Sequence, residues 1–205
     1  IEHLLGLPVL AVVPDISNES RTSHLLGRYG YGYGYGYGQK APTVASTAKA
    51  VTRAARVRKR ASEGDVQIEL LPHLRPRLAV AEAYRNLRTA LLLSSARQLK
   101  VIVVTSAVPS EGKTSTAGNL AVVLAQLGKK VLLVDGDLRK PRQHEVFHAT
   151  NKVGLVSFLT HTTEADKIVF RCDIENLYLT PSGPIPPNPS ELLSSERMGE
   201  FLKFV

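Results

Sequence analysis

Apolar and polar positions alternate along this chain in a way that predicts short strands separated by helices. Val101–Val104 is a continuous apolar run and reads as a buried strand; residues 130–134 (KVLLV) and 176–180 (NLYLT) read as two more. Between the first two, Ala117, Leu120, Ala121, Leu124 and Leu127 recur at helical spacing, and Gly128 stands where a helix C-cap belongs. Upstream, Val80, Ala83, Tyr84, Leu87 and Leu91 form an apolar stripe that predicts a helix over 77–97. Residues 153–160 predict a short helix, and 181–189 a proline-rich loop. Ser190 is placed as the N-cap of a helix running to Val205. Strand, helix and strand in this timing imply a right-handed βαβ unit. The predicted fold is α/β: an incomplete P-loop NTPase-like parallel sheet flanked by helices.

The chemistry lies at the joint between the first strand and the first crossover helix. There the sequence is TSAVPSEGKTS, Thr105 to Ser115. A small-residue loop entering a helix at Gly-Lys-Thr is how a phosphate-binding loop is built. Unpaired N–H groups of the first turn and the helix dipole favour an anion there. Positions Pro109, Ser110, Glu111, Gly112, Lys113, Thr114 and Ser115 are the candidate ATP-binding set. Lys113 supplies a charge for the β- and γ-phosphates, and the Thr114 hydroxyl suits Mg²⁺. The first glycine of the general pattern is replaced by Ala107. The second strand ends in Asp135-Gly136-Asp137, at the carboxyl edge where ligands bind in such sheets. Two acids beside a triphosphate imply a cation between them, so Asp135 and Asp137 join Thr114 as candidate Mg²⁺ residues. The plainer reading is an Asp-Gly-Asp turn with one carboxylate on Arg139.

Composition divides the chain. The net charge of +8 comes almost wholly from Lys40, Lys49, Arg53, Arg56, Arg58, Lys59 and Arg60, a run that no acid interrupts. Residues 45–60 predict a short basic helix or a solvated linker. Either would be drawn to anionic lipid or to nucleic acid. Before it, Tyr29, Tyr31, Tyr33, Tyr35 and Tyr37 alternate with glycine, which predicts a flexible low-complexity linker bearing accessible hydroxyls. Residues 4–13 predict a strand ended by Pro14-Asp15, and 61–76, with Pro72 and Pro76, more linker. The expected organisation is a strand-like segment at 1–14, a linker at 15–76 and a nucleotide domain at 77–205. No run of apolar residues is long enough to span a bilayer. One cysteine, Cys172, excludes an internal disulfide framework. The chain begins at Ile1 and ends inside a predicted helix, so it reads as a fragment; a further strand with another metal-side acid is expected beyond Val205.

Together these stretches resemble the bacterial tyrosine kinase (BY-kinase) family, the cytoplasmic ATPase domain of exopolysaccharide chain-length regulators. Thr105–Ser115 is similar to its variant Walker A loop, although Ser110 replaces a glycine frequent there. Val131–Pro141, with His144 and Phe147, is similar to its second acidic motif. Glu82–Arg88 (EAYRNLR) is similar to its E-x-x-R-x-x-R helix, and Gly183–Leu193 to the segment leading to its Walker B strand. The resemblance implies an ATP- and Mg²⁺-dependent protein-tyrosine autokinase in which Lys113, Asp135 and Asp137 are catalytic. Asp135 serves as base or holds the metal through water. It further implies that Glu82, Arg85 and Arg88 join subunits of a ring, and that the partners include polysaccharide polymerisation and export machinery. The five tract tyrosines become candidate phosphoacceptors in trans. The stretch LGLPVLAVVP resembles the segment immediately after the second transmembrane helix in fused members. That places the parent protein at the cytoplasmic face of the inner membrane and favours lipid over nucleic acid as the partner of residues 40–60. Without Walker B, the fragment alone is expected to lack full turnover.

Besides a nucleic-acid-binding linker module on the basic run, two rivals stay open at this level. One is a chain-length regulator that binds ATP and transfers nothing. The other is a partitioning-type ATPase with a deviant Walker A loop; its extra lysine, five residues before the loop lysine, is here Val108.

Overall fold

The structure, a computed structural model, describes residues 11–13, 68–94 and 99–205. The tyrosine–glycine tract, the basic run and most of the expected first strand lie outside these residues. Residues 11–13 carry no regular secondary structure. Elements follow in this order: a 3₁₀ turn Ile68–Leu70, α1 Leu71–Leu74, α2 Ala79–Leu93, α3 Lys113–Ala125, β1 Val131–Val134, α4 Gln143–Val146, α5 Leu155–Leu159, a 3₁₀ turn Ala165–Ile168, β2 Phe170–Arg171, β3 Leu177–Thr180, α6 Pro189–Leu193 and α7 Glu196–Phe204.

The sheet order is β1-β3-β2. β1 and β3 run parallel, with Val131 opposite Leu177 and Val134 opposite Thr180, as the βαβ reading requires. β2 runs antiparallel to β3, so the sheet is mixed rather than wholly parallel. Only a few residues separate β2 from β3, too few for a crossover, and a short connection can join neighbours only antiparallel. Side chains alternate across the sheet. Leu133, Leu177 and Leu179 pack with Ala121, Val122 and Ala125 of α3. Leu132 and Val134 face a second cluster of Leu155, Val156, Phe158, Ile168 and Phe201. Helices therefore cover both faces.

α3 is buried more widely than the predicted stripe. Val122 and Val123 are fully buried, while Leu127 is 47% exposed. The reason is that α3 lies between the sheet and a second layer formed by α1, α2 and the 3₁₀ turn. Asn119 Nδ2 donates to the Ile68 carbonyl at 2.7 Å, Gln126 Nε2 to that of Pro72 at 3.2 Å, and Arg88 Nη1 to that of Val123 at 2.8 Å. Residues 68–74, assigned from sequence to the linker, are thus helical, and Leu70 and Leu71 belong to the core.

Three further expectations change. Val101–Val104 carries no regular secondary structure: no described residue pairs with it as a strand, and Val101 and Val103 are 62% and 83% exposed. An apolar run becomes a buried strand only where a neighbouring backbone offers a ladder of hydrogen bonds. The predicted 190–205 helix is broken. The Ser194 hydroxyl donates to the Ser190 carbonyl and that of Ser195 to the Leu192 carbonyl, and Ser195, not Ser190, caps α7 by accepting from Met198 N. Serine hydroxyls that compete for helical carbonyls favour such a break. α2 ends at Leu93 rather than at 97.

The loop after β3 is locked to α5. Leu155 and Val156 N–H groups donate to the Pro181 and Ser182 carbonyls at 2.8 Å, and the Asn151 amide brackets the Gly183 backbone on both sides. A Cβ at Gly154 would lie 2.2 Å from Pro181 O and 2.4 Å from Gly183 N, both backbone atoms that cannot swing away. Gly154→Ala should destabilise by about 2–3 kcal/mol through overpacking, read as a shift in urea midpoint at constant m-value. Burial, with a smaller effect of Asp173, pushes the Cys172 thiol up to about 11. At pH 8 it is held as the neutral thiol, so iodoacetamide should label it roughly tenfold or more slowly in the folded chain than in denaturant. Equal rates would contradict this burial.

Candidate functional site

The loop before α3 owes its shape to two left-handed residues. Gly112 has φ 87°, which suits glycine, and it is the N-cap of α3. Ser110 has φ 67°. A side chain in that region costs on the order of 1–2 kcal/mol, which explains physically why a glycine there is the easier choice. Left-handed turns of this kind aim backbone N–H groups into a concavity that suits anions. Within the loop, the Ser106 hydroxyl donates to Val108 O at 2.9 Å, and the Glu111 carboxylate accepts from Val108 N at 3.2 Å. Glu111 thus braces the loop, while Pro109 has no N–H to offer a phosphate. Lys113 is half-buried and forms no ion pair among the described residues.

β1 delivers the two acids into different surroundings. Asp135 is 4% exposed. Its Oδ1 accepts from Asp137 N at 3.2 Å, and its Oδ2 from Arg142 N at 3.1 Å and Gln143 N at 3.0 Å. The last two contacts also tie down the start of α4. Burial pushes the Asp135 carboxyl above the usual carboxylate range, with the three N–H donors pulling the other way and Asp137 adding a smaller upward push. Asp137 is exposed. Its Oδ1 accepts from the backbone N–H groups of Arg139 and Lys140 at 3.2 and 3.0 Å, not from the Arg139 guanidinium. Its second oxygen has no partner among the described residues.

A residue not singled out from sequence connects the two halves. Gln143, whose N–H holds Asp135, also donates its side-chain Nε2 to the Thr114 carbonyl at 3.1 Å. The first turn of the phosphate-loop helix and the first acid are therefore two contacts apart. Glu69 is a second such residue: buried, it accepts from the Ser115 hydroxyl at 3.4 Å. Neither was legible, because a Gln in a polar run and a Glu beside two leucines carry no periodic signal.

The donor set fits Mg²⁺. A hydroxyl, an exposed carboxylate and a buried one are hard oxygen ligands, and Mg²⁺ commonly takes one or two carboxylates and completes its shell with water and phosphate. Among the described residues no group of three acids, histidines or cysteines could hold a metal by itself.

Of the residues expected at a subunit interface, Glu82 is exposed and Arg85 pairs with it inside α2 at 2.8 Å while also donating to Pro76 O. Arg88 turns inward to α3, and its Nε is buried without a partner among the described residues. Ala11 and Val12 line a shallow cleft with Ala79, Glu82, Ala83 and Asn86. The described residues contain no helix long and apolar enough to cross a membrane.

Comparison with known proteins agrees with this architecture. A family model described as an AAA domain matches residues 99–195. The chain is 47% identical over 137 residues to tyrosine-protein kinase YwqD of Bacillus subtilis, covering 66% of this chain and 58% of that protein. It is 42% identical over 137 residues to tyrosine-protein kinase wzc of Salmonella typhimurium, covering 66% of this chain and 19% of that one. The chain thus spans a little over half of the first relative and a fifth or less of the second. Among solved structures, the chimerical protein CapA2B2 superposes with a TM-score of 0.68 at 30% identity, over 97% of this chain and 66% of its own. The kinase domain of the Escherichia coli tyrosine kinase ETK superposes with a TM-score of 0.63 at 34% identity, over 66% of this chain and 53% of its own. With the Gly112-Lys113-Thr114 joint and the Asp135–Asp137 strand end in place, the chain belongs to the bacterial tyrosine kinase family.

Proposed function

We propose that this chain is part of an ATP- and Mg²⁺-dependent protein-tyrosine autokinase that regulates exopolysaccharide or capsule synthesis. The observation that carries the reading is the short path of hydrogen bonds from the Thr114 carbonyl through Gln143 to Asp135. Phosphoryl transfer is mainly positioning and neutralisation of charge. Loop amides from Ser110 to Thr114 hold the phosphates, and Lys113, free of any carboxylate among the described residues, faces charge developing on the γ-phosphoryl group. Mg²⁺ would supply further neutralisation when bound, held by Thr114 and Asp137 and, through water, by Asp135. Asp135 takes the acceptor tyrosine's proton: its three N–H contacts fix its orientation, and burial raises its proton affinity toward that task.

In this reading the enzyme works as a ring of copies, with Glu82, Arg85 and Arg88 at the contact. Exchanging the Glu82–Arg85 pair for one across subunits costs little, because surface pairs contribute roughly 0–1 kcal/mol, whereas Arg88 has to give up its contact with the Val123 carbonyl to reach a neighbour. Tyr29, Tyr31, Tyr33, Tyr35 and Tyr37 are acceptors in trans. Residues 40–60 meet anionic lipid at the cytoplasmic face of the inner membrane, and export machinery is the wider partner. The relatives' names, tyrosine-protein kinases, support the reaction class.

Lys113→Met in the full-length protein should abolish phosphotyrosine on immunoblots; undiminished signal would refute the assignment. Asp137→Asn is expected to keep the fold, since its Oδ1 contacts survive in an amide oxygen. It should weaken Mg²⁺-dependent binding of a fluorescent ADP by about tenfold and leave Mg²⁺-independent binding unchanged. Equal Mg²⁺ dependence in the variant would remove Asp137 from the metal side.

A further inference from the structure

Gln143 is an anomaly as a structural residue. It is 5% exposed, and its side-chain oxygen Oε1 is buried with no hydrogen-bond partner among the described residues. A buried acceptor left unpaired is a cost, and an apolar side chain of the same length would avoid it. The residue's surroundings are polar on one side, with the Thr114 carbonyl and Asp135, and apolar on the other, where Val146 of the same helix belongs to the core with Ala121, Val122 and Leu133. A Cβ built on Gly118 would lie 3.8 Å from Oε1, in ordinary contact with it, so α3 presents its glycine to that oxygen. Stability alone does not account for a glutamine here.

What the side chain gains is one directed contact. Nε2 donates to the Thr114 carbonyl, which already accepts the in-helix N–H from Gly118. The residue's own backbone N–H donates to Asp135 Oδ2. One residue therefore grips the first turn of α3 with its side chain and the acid at the end of β1 with its main chain. These two elements carry the hydroxyl and the carboxylate that a shared cation has to meet at a fixed separation. Their remaining contact is apolar packing, which is not directional.

We infer that Gln143 is a positioning residue that couples the first turn of the phosphate-loop helix to the acid strand, and so sets the Mg²⁺ requirement for nucleotide binding, at a cost in stability. The part of this concerning Mg²⁺ rests on the nucleotide reading above; the coupling itself does not.

Gln143→Met separates the two. It keeps the chain length, removes the unpaired oxygen and removes the donor. Three measurements on the 205-residue chain decide the matter. The variant should unfold at the same or a higher temperature; a lower one would make Gln143 a stabilising brace and overturn the inference. Amide hydrogen exchange without nucleotide should quicken over 113–118 despite the unreduced stability, and unchanged exchange would overturn the coupling. The Mg²⁺ concentration giving half-maximal binding of fluorescent ADP should rise about tenfold, with Mg²⁺-free affinity unmoved; an unmoved midpoint would overturn the role toward the metal. If the unsubstituted chain binds no nucleotide at any Mg²⁺ concentration, the nucleotide reading falls, and the exchange measurement still decides the coupling.

Discussion

The carboxylate of Asp135 is the point through which the rest of the site is held. It is a buried charge, and a buried charge persists only where donors surround it. Here the donors are three backbone N–H groups, from Asp137, Arg142 and Gln143. They fold the chain after β1 back on itself and start α4 at a defined place. That placement in turn lets Gln143 reach α3. One desolvated side chain thus organises a turn, a helix start and a contact between layers.

The same economy governs the other end of the site. The phosphate loop is shaped by left-handed backbone at Ser110 and Gly112, so its conformation is stored locally, not borrowed from distant packing. Glu111 and Ser106 satisfy groups inside the loop, and the first turn of α3 is left facing outward with Lys113 half-buried beside it. α3 itself is anchored on two sides, by the sheet and by the 3₁₀ turn with α1 and α2. The second layer matters for function as much as for stability, because Glu69 touches Ser115 inside the motif itself. The 3₁₀ turn Ile68–Leu70 therefore meets the first turn of α3 without any intervening element.

The two rivals fare differently. The partitioning-type reading lacked its lysine in the sequence, and the structure puts Val108 at that place, 55% exposed on the loop. A regulator that binds nucleotide without transferring phosphate would share every feature of the site, because binding and transfer would use the same loop and acids.

Local patterns were sufficient wherever the physics is local. The Gly-Lys-Thr joint, β1, β3, the short α5 and the Asp-Gly-Asp strand end could all be read from periodicity, turn chemistry and motif spacing, since each depends on residues close in sequence. Tertiary structure decided what depends on partners. Whether Val101–Val104 pairs, whether β2 runs against β3, and how much of α3 is covered are set by which backbone or side chain lies alongside. The fate of the acids belongs there too: Asp135 and Asp137 differ by two positions in sequence, yet one is buried among N–H donors and the other is exposed. Gln143 shows the limit most plainly, for its importance lies in two contacts 8 and 29 residues away in the chain, and nothing in its immediate neighbourhood announces either.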